Sequence, residues 1–213
     1  LLDVLEGDED TVLDQLDELM DARILVEHRQ GPLVSIDFTH GKFGDIIYRD
    51  LAPDRRVTLH RRLALVHEDR SGASAAVAEL IGEHYRRGGE AGKAYLHLAV
   101  AAQRFQERSL QVEAWKLSEQ ALAVEDTAKA DLALNAFRRI RLDLLRTRAD
   151  VVYGRGEWAQ ARDLLEEAAR LAERLALEGE VARLRLSLSR AESRLGNEVQ
   201  GDRLLAQALE SGR

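Results

Sequence analysis

Residues 157–168, EWAQARDLLEEA, align with residues 197–208, NEVQGDRLLAQA, at a constant spacing of 40 residues. Each copy follows a glycine and contains a small residue, a leucine four positions later and an alanine three positions after that. These positions are Ala161, Leu165 and Ala168 in the first copy and Gly201, Leu205 and Ala208 in the second. Small residues at helical spacing let neighbouring helices approach closely, so the repeat predicts stacked helices.

An earlier copy of the pattern covers a full two-helix unit. It comprises Ile81, Gly82, Tyr85, Gly89, Ala94, Leu98 and Ala101. Ala114, Leu117 and Ala121 repeat its second half only 20 residues after Ala94, which is too soon for another two-helix unit. We therefore expect the helix over residues 93–108 to pair with helices on both sides.

These patterns resemble tetratricopeptide repeats over residues 77–210. The resemblance implies that ten residues pack neighbouring helices together: Gly82, Tyr85, Ala94, Ala101, Ala114, Ala121, Ala161, Ala168, Gly201 and Ala208. It also implies a curved α-solenoid with a wide inner face that binds a peptide or protein partner. A plain helical bundle is the alternative.

The hydrophobic pattern predicts further helices near residues 110–124, 128–153, 157–174, 178–194 and 198–210. The arginine-rich segment 137–148 is expected to be helical, with a basic face towards solvent. Aromatic residues at repeat positions are expected to pack rather than to form a ligand platform. They are Tyr85, Phe105, Trp115 and Trp158.

The first 70 residues follow a different pattern. Apolar residues at helical spacing, with acids between them, predict a helix over residues 10–22. Two short β-prone runs around Gln30, Gly31 and Pro32 predict a hairpin. A helix over residues 43–51 is expected to end before Pro53, which suits the first turn of the next helix. Helix, hairpin, helix is the order of a winged helix.

A motif lies where the hairpin closes and the next helix begins. Residues 38–48 read FTHGKFGDIIY, and the spacing of Phe38, His40, Asp45 and Tyr48 resembles the winged-helix phrase F-x-H-D-x-h-[RK]-[DE]-h-h-Y of STAND-type signalling ATPases. The chain has glycine at positions 41 and 44, where that phrase has an acid and a base. In that family the histidine lies near the nucleotide diphosphate. The resemblance therefore implies a nucleotide-sensing role for His40.

The two parts predict a mainly α fold. A partial winged helix with a β-hairpin, residues 1–70, precedes a tetratricopeptide-like α-solenoid, residues 71–213, with residues 71–74 as the linker. By resemblance, the chain is a non-catalytic regulatory and protein-interaction fragment of a larger nucleotide-switched signalling protein. Its solenoid would bind a protein or peptide partner, or that protein's own effector domain. ATP or ADP is expected in an upstream domain, and no cofactor in this fragment.

The alternative is a DNA-binding winged-helix transcription regulator with a helical dimerisation or ligand domain. The helix before the hairpin would then enter the major groove, but it carries Asp14, Asp17, Glu18 and Asp21. Affinity for DNA comes largely from Lys and Arg that neutralise phosphates, so four carboxylates there oppose binding. The sequence therefore disfavours DNA as a partner.

Composition limits the cellular environment that we expect for the chain. It contains no cysteine, which excludes disulfides and thiolate chemistry and fits a reducing cytoplasm. No apolar run reaches the roughly 18 to 20 residues of a membrane span, so no membrane contact is expected. The start at Leu1, without Met, predicts a fragment of a longer polypeptide.

The net charge of -7 lies wholly in the first third of the chain. Residues 1–70 carry 9 Lys or Arg and 16 Asp or Glu, while residues 71–213 carry 22 of each. This change of charge coincides with the change of hydrophobic pattern. We therefore expect the domain boundary near residue 71.

We expect no catalytic or metal-binding residues. Residues 88–94, GGEAGKA, resemble a phosphate-binding loop, but the glycine spacing is one short and the segment joins two helices. The six histidines include no i,i+4 pair, so a helical zinc site has no support. His60 and His67 could share one face of a helix and are expected on its surface.

Overall fold

The computed structural model describes residues 8–30, 33–70 and 74–211. Within these ranges the chain forms one β-hairpin and eleven helices. In chain order they are α1 Glu9–Asp21, β1 Leu25–Gln30, β2 Leu33–Phe38, α2 Gly41–Asp50, α3 Pro53–Arg70, α4 Ala75–Arg87, α5 Ala91–Glu107, α6 Gln111–Ala123, α7 Glu125–Asp131, α8 Leu134–Gly154, α9 Trp158–Arg174, α10 Glu178–Arg194 and α11 Glu198–Ser211. The prediction of a mainly α protein with an early hairpin is confirmed.

The elements of the front part, α1 to α2, form close to their predicted bounds. Asp8 caps α1 because its Oδ1 atom accepts a hydrogen bond from the amide of Thr11 at 3.0 Å. The two strands pair antiparallel with Leu25 opposite Phe38. The predicted turn residues at positions 31 and 32, and the predicted linker residues 71–73, lie outside the described residues.

Very little of the front part is buried. Among the described side chains of α1, the hairpin and α2, only Val12 is buried. Four apolar side chains of α2 are each 37% to 47% exposed, namely Phe43, Ile46, Ile47 and Tyr48. Stabilisation by apolar burial scales with the area removed from water, so packing within the front part contributes little to folding.

Helices α4 to α11 form a solenoid-like array in which successive helices pack against one another. The helix α5 contacts α4, α6, α7 and α8, which confirms that it pairs on both sides. One apolar core surrounds Tyr95, Leu98 and Leu117. A second core joins α8, α9 and α10 around Leu142 and Leu184. No helix within the described ranges has the length and apolar character needed to cross a membrane.

The two sequence copies share the same turn geometry. Gly156 and Gly196 precede α9 and α11 with φ values of +81° and +83°. Glycine adopts this left-handed conformation without the steric cost that a Cβ brings, so these positions end one helix and start the next. The helices predicted at residues 110–124, 157–174, 178–194 and 198–210 are confirmed within one residue at each end.

The single helix predicted over residues 128–153 is wrong, because the chain breaks between α7 and α8. The Asp131 carboxylate accepts a hydrogen bond from the amide of Gly92 at 3.2 Å. A Cβ on Gly92 would lie 3.1 Å from the side chain of Leu132. The first turn of α5 therefore holds the connection between α7 and α8, a contact that no local sequence signal shows.

The arginine-rich part of α8 is helical as expected, but two of its arginines contact neighbouring helices instead of facing only solvent. The Arg141 guanidinium pairs with Glu125 of α7 and, at 2.7 Å, with Glu167 of α9. The Arg148 side chain is 11% exposed, and its guanidinium carbon lies 4.0 Å from the ring centre of Trp115 in α6. These arginines join α8 to three neighbouring helices, so they are structural contacts.

Candidate regulatory joint and binding groove

The histidines of α3 connect the front part to the array. The Nε2 atom of His60 lies 2.9 Å from the hydroxyl of Tyr48 in α2, and its Nδ1 atom lies 2.9 Å from Nδ1 of His84 in α4. The ring of His67 stacks on His84, with ring centres 5.8 Å apart and planes 4° from parallel. These four side chains form a histidine cluster that spans three helices.

The cluster restricts where protons can reside. A hydrogen bond between two Nδ1 atoms needs one protonated donor and one unprotonated acceptor. Burial lowers the pKa of His60, and burial together with the neighbouring His60 and His67 lowers the pKa of His84 to about 4. His84 is therefore neutral at neutral pH and can accept the proton that its partner donates.

A second set of polar contacts links α3 to α4 and α5 through Glu68. Its carboxylate accepts a hydrogen bond from the Tyr85 hydroxyl and lies 3.1 Å from Nε2 of His97. The Lys93 ammonium donates to the same hydroxyl at 3.3 Å. The hydrogen bond from Tyr85 holds the pKa of Glu68 below its ordinary value, and burial raises the pKa of Tyr85. Glu68 is thus a charged anchor between α3 and the array.

Arg61 completes the connection. Its Nε atom donates to the carbonyl of Gly88 at 2.6 Å and lies 3.1 Å from the Glu90 carboxylate. A Cβ on Gly88 would lie 2.9 Å from Cγ of Arg61, so the turn between α4 and α5 approaches α3 very closely. Ala64 is fully buried and packs in one core with Ile81. We call this whole contact of α3 with α2, α4 and α5 the joint.

His40, the predicted nucleotide sensor, lies outside the joint. It immediately precedes α2, is exposed, and makes no capping hydrogen bond with its side chain. Its ring centre is 5.8 Å from that of Phe43. A Cβ on Gly44 would lie 3.1 Å from the ring of Phe38, so this glycine lets the end of the hairpin pack against α2.

The ten residues predicted to pack the repeat helices are all buried. At two of them an added Cβ would meet the neighbouring helix. A Cβ on Gly82 would lie 2.9 Å from Cγ of Leu98, and a Cβ on Gly201 would lie 2.9 Å from Oγ of Ser193. These contacts set how closely α4 lies to α5 and α10 lies to α11.

An open groove runs along α8. It consists of two cavities of about 210 and 70 Å³ that share Asp150. Asp143 and Arg146 line the larger cavity together with side chains of α5, and Tyr153 lines the smaller one together with α10. The side-chain oxygen of Gln106 in this wall has no hydrogen-bond partner within the described part of the chain. That oxygen is itself buried, so the groove offers its charged side chains to an extended polar ligand.

Sequence reasoning missed the histidine cluster. His60 was expected on a helix surface, but it is 7% exposed, so that expectation is wrong. The contact joins His60 to His84, which lies 24 residues further along the chain on another helix. The one local signal is that His60 and His67 share a face of α3.

Comparison with known proteins does not assign the chain to a family. No protein-family model matches the chain, and no curated protein matches it significantly. Within the described ranges, no three His, Cys, Asp or Glu side chains are placed to hold a metal ion. Of the residues 88–94 that resemble a phosphate-binding loop, 88–90 form the turn between α4 and α5 and 91–94 form the first turn of α5. The joint and the groove are thus the features from which function must be argued.

Proposed function

We propose that this chain is a non-catalytic regulatory unit of a nucleotide-switched signalling protein, and that its helical array binds a protein or peptide partner. The front part would be the end of a winged helix, and the array a tetratricopeptide-like solenoid. The proposal rests on the position of α3 between the front part and the array. This helix contacts α2 through His60, and it contacts α4 and α5 through Arg61 and Glu68. Among the described residues, a displacement of the front part can reach the array through α3 and also through Tyr48 of α2, which interacts with Arg87 of α4.

The exposed apolar face of α2 supports the proposal that an upstream domain is one partner of the chain. Phe43, Ile46 and Ile47 form an apolar surface beside His40, and contiguous apolar surfaces of this kind mark interaction sites. The upstream domain would carry ATP or ADP, with His40 towards the nucleotide. The groove along α8 would take the partner protein or the effector domain.

The surface charge of α1 opposes the alternative of a DNA-binding regulator. Asp14, Asp17, Glu18 and Asp21 are all exposed, so their charges would face the phosphates. Binding to duplex DNA that weakens steeply with added salt would favour that alternative. We expect no such binding.

A reversible disulfide between α3 and the turn after α4, called the lock across the joint, tests the proposed function. The chain has no cysteine, so Arg61→Cys with Gly88→Cys introduces a single pair of thiols into it. A Cβ on Gly88 would lie 2.9 Å from the Cγ of Arg61, the position that Sγ of a cysteine takes, which is within reach of a disulfide. The same Cβ would lie 3.1 Å from the carbonyl of His84, so the reduced double variant is the reference for the oxidised one. We expect oxidation to change the ATP turnover of the whole polypeptide by at least about fivefold, and reduction to restore it.

A second lock serves as the control. Ser193→Cys with Gly201→Cys joins α10 to α11, where a Cβ on Gly201 would lie 2.9 Å from Oγ of Ser193. This lock lies at the far end of the array and should leave turnover unchanged. Turnover that is unaffected by the lock across the joint, or a whole polypeptide that neither binds nor hydrolyses ATP, contradicts the proposed function.

A further inference from the structure

We propose that a basic cavity between α7, α8 and α9 binds an acidic segment of a partner protein that carries a hydrophobic side chain beside its carboxylates. The inference rests on the protein-binding role proposed above and adds the chemistry of a partner segment at a second site on α8, since the basic cavity shares no described lining residue with the groove. The basic cavity has a volume of about 250 Å³, and its charged lining comprises Lys129, Arg138, Arg141, Glu167, Arg170 and Arg174.

Most of the positive charge in the basic cavity is uncompensated. Among the described residues that line it, only Arg141 is fully paired, with Glu125 and Glu167. Arg170 lies 3.7 Å from Glu166, an exposed pair one helical turn apart that contributes little. This leaves one carboxylate in a cavity lined by five cations.

Three cations of the basic cavity have no partner among the described residues. In the part of the chain that the structure describes, Lys129, Arg138 and Arg174 form no ion pair or hydrogen bond. They come from three different helices, so the packing of α7, α8 and α9 holds like charges together. Like charges that converge without a counter-charge repel one another, and a bound anion relieves that repulsion.

The larger cavity on the array has more carboxylates than cations in its lining, namely Glu173 and Glu178 against Arg185. This cavity, of about 510 Å³, lies at the turn between α9 and α10, and its Arg185 pairs with Glu173 at 3.2 Å. The chain as a whole carries a net charge of -7, which does not favour polyanions such as nucleic acids. Surface charge acts over only about 8 Å at physiological ionic strength, so the basic cavity can still select an anion locally.

The walls and the size of the basic cavity favour side chains over a nucleotide. Leu134, Phe137 and Leu171 form its apolar wall, and the ring of Phe137 is held in place by stacking on Tyr95 at 5.6 Å between ring centres. Small-molecule sites usually measure roughly 300 to 1,000 Å³, so a cavity of about 250 Å³ holds one or two side chains. A carboxylate next to a leucine-like side chain matches both the charge and the wall.

Peptide binding to the 213-residue chain tests this inference. Three fluorescein-labelled peptides are compared by fluorescence anisotropy: one with glutamates flanking a leucine, one with glutamines in place of the glutamates, and one with alanine in place of the leucine. We expect the first peptide to bind at least about tenfold more tightly than either of the others. Millimolar inorganic phosphate should compete only weakly, because it lacks the apolar group.

Variants locate the binding on the chain. Arg138→Glu combined with Arg174→Glu should weaken binding of the acidic peptide at least about tenfold, and Lys129→Gln, an exposed and milder change, should weaken it in the same direction. Arg203→Glu on α11 is the matched control, because this exposed arginine does not line the basic cavity and should leave binding unchanged. Circular dichroism confirms that each variant is folded.

Three results would overturn the inference. They are equal binding of the glutamate and glutamine peptides, no binding of the acidic peptide, and equal weakening by the Arg203→Glu control. A fourth, displacement of the acidic peptide by phosphate with no effect of the leucine, would assign the basic cavity to a free anion instead. None of these results bears on the lock across the joint, so the proposed function is decided separately.

Discussion

Gly82 is a residue whose missing side chain decides how two helices of the array pack. An added Cβ would lie 2.9 Å from Cγ and 3.1 Å from the backbone nitrogen of Leu98, which is fully buried. Neither the buried leucine nor the backbone of α5 can move away without opening the core. We expect Gly82→Ala to lower the free energy of unfolding by about 2 kcal/mol. Urea denaturation at constant slope measures the change.

Gly179 in the first turn of α10 is the control for this substitution. An added Cβ there would meet nothing within 4 Å. Alanine restricts the unfolded chain and favours the helix, so Gly179→Ala should stabilise the protein by up to about 1 kcal/mol. If Gly82→Ala were as well tolerated as Gly179→Ala, the close approach of α4 and α5 would be wrong.

Residue-level prediction from the sequence works where the signal is periodic. The small residues recur at helical spacing, and the pattern of Gly82, Ala94 and Ala101 is visible without any structure. The histidine cluster has no such pattern, because α2, α3 and α4 each contribute to it. His60 and His84 meet only through the packing of two helices, which depends on the whole fold.

At the scale of elements, the contact between α3 and α4 should depend on pH. Burial lowers the pKa of His60 from its ordinary value of 6.5, and that of His84 to about 4. Between about pH 6.5 and 4 the unfolded chain therefore binds more protons than the folded chain, so stability falls as the pH decreases through this window. We expect the free energy of unfolding to be about 2 kcal/mol lower at pH 5 than at pH 7.5. Urea denaturation followed by circular dichroism measures it.

The charged groups that face the histidine pair leave this direction unchanged. Arg87 lowers the pKa of both histidines, while Glu83 acts in the opposite direction with a smaller effect. Hydrogen bonds from Arg86 lower the pKa of Glu83 itself to about 2. Its contribution to stability is therefore present above about pH 4.5 and lost only below it, outside most of the window of the histidines.

Two substitutions separate the histidine cluster from other titrating groups. His84→Gln removes the group with the largest shift and should abolish most of the loss of stability between pH 7.5 and 5. His28→Gln changes an exposed histidine of β1 and should leave that loss unchanged. An unaltered pH dependence in His84→Gln would show that protons bind elsewhere.

The bounds of helices can be predicted from the sequence where a local pattern marks the end of the helix. The bounds of α9, α10 and α11 agree with the hydrophobic pattern, and glycine turns at Gly156 and Gly196 precede α9 and α11. Between α9 and α10 the residue with positive φ is Ala176, so the hydrophobic pattern alone sets that boundary. The break between α7 and α8 has no glycine or proline. It results from the contact of Asp131 with the start of α5, so only the packed structure shows it.

The whole molecule combines two parts of unequal packing. The array contains both large apolar cores, whereas the front part contributes Val12 as the only buried side chain among the described residues of α1, the hairpin and α2. The excess of acid also lies within the first 70 residues. A part with little buried area and unbalanced charge depends on its neighbours for stability, and here α3 and the interaction of Tyr48 with Arg87 connect it to the array.

This inequality predicts the pattern of amide hydrogen exchange across the chain. Local opening requires less free energy where few apolar contacts are lost, so the amides of α1, the hairpin and α2 should exchange at least about tenfold faster than those of α5 and α8. Hydrogen exchange with mass spectrometry measures both regions in one sample. Equal protection in the 213-residue chain would contradict the prediction. Protection of α2 that rises in the whole polypeptide would show that another domain covers its exposed apolar side chains, as the proposed function requires.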